Sequence, residues 1–127
     1  MLKFIPDPGM VLICDYQSGF IPPEMIKKRR VIVVSPKFLN NRGLCTVVPV
    51  STTPPDAELP VHVRFNPGQY RFFSADMPCW AKCDVIASVS YARLDRIRIG
   101  KDFVAPRIGR EDFEKIRVAL SHVIAHY

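Results

Sequence analysis

Twelve prolines punctuate this chain, all at or before Pro106. Proline removes a backbone donor and clashes with the preceding helical turn, so most long helices are forbidden across that stretch. Short strands joined by turns are the expectation. The turn signal Pro8-Gly9 is followed by M-V-L-I-C-D-Y at 10–16, a strand start. Gln17 to Met25 holds Gly19, Pro22 and Pro23 and reads as a loop. Lys27, Lys28, Arg29 and Arg30 then stand immediately before Val31, Ile32, Val33 and Val34. Four β-branched residues without alternation suggest a strand buried on both faces. Ser35-Pro36 ends it, Asn40, Asn41 and Gly43 mark a turn, and Leu44 to Val50 is the next strand. Val61, Val63 and Phe65 alternate with His62 and Arg64, the pattern of a half-buried edge or hairpin strand whose His62 points outward. Residues 66–82 read as loop and contain the only tryptophan, Trp80. Val85 to Tyr91 is a strand, with one more short strand over Leu94 to Ile99.

The end of the chain differs. Glu111 to Tyr127 lacks proline and glycine, and Phe113, Ile116, Leu120, Val123, Ile124 and Tyr127 fall on one helical face. Gly109 is the expected N-cap, and Glu111, Asp112 and Glu114 suit the positive end of the helix dipole. The expectation is therefore a mainly β domain of five to seven strands spanning 1–127, closed by one C-terminal helix.

Apolar residues make up 48% of the 127 positions, which argues against global disorder. No apolar run approaches the roughly 18 residues of a membrane span. The start of the chain lacks the basic and apolar pattern of a signal peptide, so a cytoplasmic location with no membrane partner is expected. The net charge of +6 favours an anionic partner such as nucleic acid, a phosphorylated ligand or an acidic protein segment. The four cysteines are read as reduced thiols. Cys14 and Cys45 sit in apolar runs, and the C-W-A-K-C spacing of Cys79 and Cys83 is not that of redox or zinc motifs. His122 and His126 stand four apart on the expected helix, but without a glutamate between them they read as solvent-facing. No metal and no cofactor is expected.

What remains is arginine and hydroxyl chemistry. If strands 28–35 and 44–51 pair antiparallel, the start of the first meets the end of the second. An arginine then lies near Ser51 or Thr52, and the two could grip one phosphate. Strand neighbours point to opposite faces, so Arg29 and Arg30 are expected to face apart, only one toward the groove. The plainer readings are a solvated basic patch and a serine bonding its own backbone.

These residues carry a resemblance. P-D-P-G-M-V at 6–11, Arg29 followed by V-I-V-V-S-P at 31–36, N-N-R-G at 40–43, V-V-P-V-S-T at 47–52 and C-D-V-I-A-S-V-S-Y-A-R-L at 83–94 resemble the PemK/MazF family of toxin ribonucleases. The resemblance implies an SH3-like (PemK/MazF/CcdB-like) small barrel with a C-terminal α-helix, acting as a homodimer. It implies sequence-specific, metal-independent cleavage of single-stranded RNA, and neutralisation by a cognate antitoxin with an acidic segment. The catalytic arginine of the resemblance maps to Arg29, counted back from Ser35, with Arg30 standing where proline is usual and serving as the fallback. The hydroxyl maps to Ser51, with Thr52 second. Glu24 matches an acidic residue upstream, either accepting the 2′-hydroxyl proton or orienting Arg29 by an ion pair. Lys27, Lys28 and Arg64 are candidate RNA contacts, and Phe20, Tyr70 and Trp80 are candidate stacking platforms. Phe72 and Phe73 are as readily core residues, and Arg71, Arg93 and Arg96 follow the RNA backbone or are solvated. Residues 66–82 depart from the family pattern, so substrate choice should differ. Two alternatives stand beside this reading. One is a non-catalytic SH3-like module that binds nucleic acid or protein. The other is a gyrase-poisoning toxin on the same fold, which depends on a C-terminal tryptophan that the ending H-V-I-A-H-Y lacks.

Overall fold

The computed structural model describes Met1–His126. Nine strands precede one helix: β1 (Val11–Asp15), β2 (Lys28–Val33), β3 (Leu44–Ser51), β4 (His62–Phe65), β5 (Cys79–Lys82), β6 (Ala87–Ser90), β7 (Leu94–Asp95), β8 (Ile97–Ile99), β9 (Asp102–Val104) and α1 (Arg110–Ser121). Seven strands form one antiparallel sheet in the order β4-β5-β3-β2-β1-β7, with β6 also pairing β3. Strands β8 and β9 make a separate hairpin.

The longest strand, β3, explains how the sheet curls into a small barrel. On the side away from β2, Leu44–Val47 pair with β6, whereas Val50 and Ser51 pair with β5. Val48 and Pro49 fall in the gap between those two partners. A proline inside a central strand is tolerated at such a break, where a missing N–H interrupts no continuous ladder. The β-branched run of β2 is buried on both faces, as its lack of alternation predicts. Ile32 joins Val11, Val48 and Phe65 in one cluster, while Val31 and Val33 join Leu12, Cys14 and Leu94 in the other. The β2–β3 connection is tied by the buried Asn40, which accepts from the Ser35 hydroxyl and donates to the Pro6 and Ser35 carbonyls.

Several expectations change. The basic cluster does not precede β2: Lys28, Arg29 and Arg30 are its first three residues. Residues 66–82 are not all loop, because Cys79–Lys82 forms β5, an interior strand between β3 and β4. The stretch 94–99 is two strands bent around Arg96, the second paired with β9. His62 does not point freely outward; its imidazole is largely covered and lies 3.5 Å from the Asp84 carboxylate.

The helix starts at its Gly109 N-cap as expected but ends at Ser121. His122 and His126 are therefore not one helical turn apart. Ile124 is 73% exposed instead of sharing the packed face, and Tyr127 lies outside the described residues. Ile116 and Ala119 carry the packing against the core of Val63 and Phe65. The helix start is pinned to the 66–78 segment by Tyr70. Its hydroxyl donates to the Asp112 carboxylate and accepts from the Gly109 amide at 2.7 Å.

Candidate active site

The register of the sheet decides which functional side chains meet. Arg30 stands opposite Ile13 on β1 and opposite Val50 on β3. One step along the same antiparallel register sets Arg29 across from Ser51. Ser51 is in turn opposite Trp80, and Trp80 opposite Arg64. Because cross-strand partners share a face, Arg29, Ser51, Trp80 and Arg64 form one row, and Ile13, Arg30, Val50 and Ala81 form the row beside it on the other face.

A cavity of about 280 Å³ opens where these strand ends converge. Its polar border is Lys28, Arg29, Arg30, Ser51, Thr52 and Ser74, and its apolar wall is Ile13, Val50, Phe73 and Cys79. The expectation that Arg29 and Arg30 cannot share a site is overturned, since both line this cavity. Its lining draws on the middle of β1, the start of β2, the end of β3 and the start of β5. The pairing of the start of β2 with the end of β3, expected from the sequence, is what brings arginine and hydroxyl together.

The electrostatics are one-sided. Three cationic side chains line the cavity and no carboxylate or imidazole does. Among the described residues, none of the three is in an ion pair. Among the described residues the buried Arg29 Nε has no hydrogen-bond partner. A buried donor left unmade is costly. Ser51 is only 4% exposed, and its Oγ accepts from the Thr53 amide at 3.1 Å. That bond occupies an acceptor position and leaves the hydroxyl proton free to donate. Burial pushes the Cys79 thiol up, opposed in part by Arg30 and Arg64, so it stands as a neutral wall residue and not as a thiolate.

Other candidates lie outside the cavity lining. Glu24 is exposed, accepts from the Ile21 amide at 3.2 Å and forms no ion pair with Arg29 among the described residues. The orienting role expected of it is thus not present. The Phe20 ring packs edge-on against Tyr16 and under the Arg93 guanidinium, 4.6 Å from its centroid. Arg93 also donates to the Asp15 and Ser18 carbonyls, which makes it a staple for the β1–β2 loop and not a free cation. Tyr70 stacks on Phe72 and gives its hydroxyl to the helix start, so the platform expected of it is already used for packing. Lys27 is exposed and away from the lining, while Trp80 and Arg64 continue the row of Arg29 and Ser51 beyond it. The sequence reading missed Ile13, Val50, Ser74 and Cys79 as lining residues. The alternation C-W-A-K, with Cys79 and Ala81 buried, is the signal that β5 passes beside the site.

This arrangement was compared with known proteins. Residues 7–124 match the family model described as PemK-like, MazF-like toxin of type II toxin–antitoxin system. The YifN protein of Escherichia coli (strain K12) is 33% identical over 123 residues, covering 81% of this chain and 80% of its own. A Haemophilus influenzae protein is 30% identical over 139 residues, covering 94% and 90%. Among solved structures, MazF from Deinococcus radiodurans superposes with a TM-score of 0.70 at 17% identity, covering 95% of this chain and 97% of that one. A mycobacterial endoribonuclease in complex with its cognate antitoxin superposes at 0.65 and 19% identity, covering 93% of each. Those likenesses carry the fold, and the family model carries the membership: this chain belongs to the PemK-like, MazF-like toxins of type II toxin–antitoxin systems.

Proposed function

We propose that the protein is a sequence-specific endoribonuclease toxin that cuts single-stranded RNA by attack of a 2′-hydroxyl on its adjacent phosphate. The observation that carries this reading is the cavity that Arg29 and Ser51 line together with Lys28 and Arg30, with no carboxylate or imidazole in the lining among the described residues. As the 2′-oxygen bonds to phosphorus and the bond to the 5′-oxygen breaks, negative charge builds on the non-bridging phosphate oxygens, and the departing 5′-oxygen takes a proton from water. Arg29 offers preorganised, charged donors to that charge, and Ser51 offers a second donor from β3. Arginine stays protonated, so it stabilises charge and does not accept the 2′-hydroxyl proton. Glu24 lies outside the lining, so that proton passes to water and not to a fixed carboxylate. The donor set offers no carboxylate or imidazole to hold a divalent ion, which supports a metal-independent reaction. The row continuing to Trp80 and Arg64 supports a path for the flanking nucleotides.

The cationic cavity also suits an acidic antitoxin segment competing for the RNA path, in a homodimer that works in the cytoplasm and arrests growth when released. Incubating the purified protein with a long single-stranded RNA and mapping the cut ends tests the reading. Discrete cuts with a 2′,3′-cyclic phosphate upstream and a 5′-hydroxyl downstream are expected, with activity retained in chelator. Binding without cuts would select a non-catalytic module. A 5′-phosphate product would point to attack by water and overturn the mechanism.

A further inference from the structure

Two adjacent arginines border one cavity, yet their surroundings differ. Arg29 sits in the row of the Ser51 hydroxyl. Arg30 sits in the row of Ile13 and Val50, beside Phe73 and Cys79. The cavity joins an apolar wall to a border rich in donors, Lys28 and Thr52 among them besides the two arginines. It is a good seat for a nucleobase, whose ring faces pack on apolar and aromatic side chains while its edge meets the polar group. At about 280 Å³ the cavity is small among ligand sites, which fits one base and not a folded RNA element.

The polar groups of the recess narrow the choice of base. Arg30 offers only donors and forms no ion pair among the described residues. The Ser74 Oγ already accepts from the Asp76 and Met77 amides at 3.3 and 3.1 Å, so its proton remains to be donated. The lining contains no carboxylate and no side-chain amide to accept a hydrogen bond from a base. With Lys28 and both arginines able only to donate, an acceptor-rich edge is favoured. Guanine presents one, O6 and N7 side by side, and they match the two parallel donors of an arginine fork. Adenine places its N6 amino donor beside N7 and leaves the second donor of the fork opposed.

We propose that this recess reads a guanine flanking the cleaved phosphate, with Arg30 as the specificity-determining residue. The proposal rests on the ribonuclease reading above. Its test has two arms. In the first, cleavage maps of a long RNA are compared for the wild type, Arg30→Ala and Arg29→Ala. Wild-type cuts share a guanine at one fixed position next to the scissile phosphate. Arg30→Ala still cuts but loses that preference by roughly 10- to 100-fold, while Arg29→Ala loses cutting at every site. In the second arm, anisotropy measures binding of short oligonucleotides with 2′-O-methyl groups that cannot be cleaved. The wild type prefers guanine over adenine, inosine retains the preference because it keeps O6 and N7, and 7-deazaguanine loses it. Arg29→Ala keeps this base preference and Arg30→Ala does not. Wild-type cuts that lack a common guanine, or a guanine preference that survives Arg30→Ala, would overturn the proposal and leave the ribonuclease standing. Guanine-selective binding without any cleavage would overturn the ribonuclease reading and leave the base site standing.

Discussion

Arg29 and Ser51 act on one phosphate in the proposed reaction, and their effects should be coupled. Removing a preorganised charge-stabilising donor costs on the order of 100- to 1000-fold in rate, and that is the loss expected for Arg29→Ala. Ser51→Ala should lower turnover more than RNA binding, because its hydrogen bond strengthens as charge develops. Adding Ser51→Ala to Arg29→Ala should cost little more, since groups on one phosphate are non-additive. Single-turnover cleavage of one defined oligonucleotide checks all three, and strict additivity would separate the two residues. Glu24→Gln should reduce the rate by less than roughly 10-fold, well below the usual share of a general acid or base, because its carboxylate is bonded to the Ile21 amide outside the cavity. At this scale the positions of Arg29 and Ser51 were legible in the sequence, from the S-P that ends one strand and the V-P-V-S-T that ends the next. The role proposed for Arg30 was not. Alternation along a strand says which face a residue takes but not that one cavity is lined by both neighbours.

Among the elements, α1 is held to the barrel by packing, by the Tyr70 phenol and by the Gln69 amide, which donates to Asp112 at 3.0 Å. Ile116 is fully buried, so Ile116→Ala should destabilise by about 2–5 kcal/mol. Tyr70 joins the 66–78 segment to the first turn of the helix, bonding Asp112 and the Gly109 amide. Tyr70→Phe removes both bonds and leaves ring packing intact, for an expected cost of about 1–3 kcal/mol in urea melts. A Cβ added at Gly109 would lie 3.2 Å from that hydroxyl, so Gly109→Ala should strain the same joint. If Tyr70 were instead an RNA platform, Tyr70→Phe would leave stability unchanged and its effect would appear in RNA affinity. The helix was legible from its apolar period, but its end was not. The period continues through Val123 and Ile124 in sequence, and Val123 still packs on the core although the helix has ended, while Ile124 is exposed. Strand β5 was hidden for a related reason. Four residues between loop-rich flanks carry too little local signal, and Cys79–Lys82 is a strand because β3 and β4 offer it two partners.

For the whole molecule, charge and buried thiols make the testable statements. With a net charge of +6 and a cationic cavity, RNA affinity should fall steeply between low and moderate salt as neutralised phosphates release counterions. Affinity flat across that range would contradict an electrostatic interface. Burial pushes the Cys14 and Cys45 thiols up to about 11 and the Cys83 thiol up to about 12. The folded chain holds these protons where the unfolded chain releases them. The stabilisation is therefore fully present below about pH 9, the ordinary value of a thiol, and is lost as pH rises from there through 11 and 12. Chemical denaturation between pH 8 and 12 should show stability falling over that window, and Cys83→Ala should reduce the slope. Light scattering at micromolar concentration should give twice the chain mass for the proposed homodimer.

Proline spacing and β-branched runs by themselves determined short strands ahead of one helix, because backbone restriction and hydrophobic period act over a few residues and need no partner to be read; the barrel was implied only by the family resemblance. They also set an arginine at the start of β2 near a hydroxyl at the end of β3 on the condition that the two strands pair antiparallel, a pairing the structure supplies. Only the tertiary structure decided what stands around that pair. The curl of β3 from β6 to β5, the arrival of Phe73 and Cys79 from a distant segment and the withdrawal of Tyr70 to the helix are long-range contacts. Each is set by which buried surfaces fit together across the barrel, and no local pattern in the chain encodes that fit.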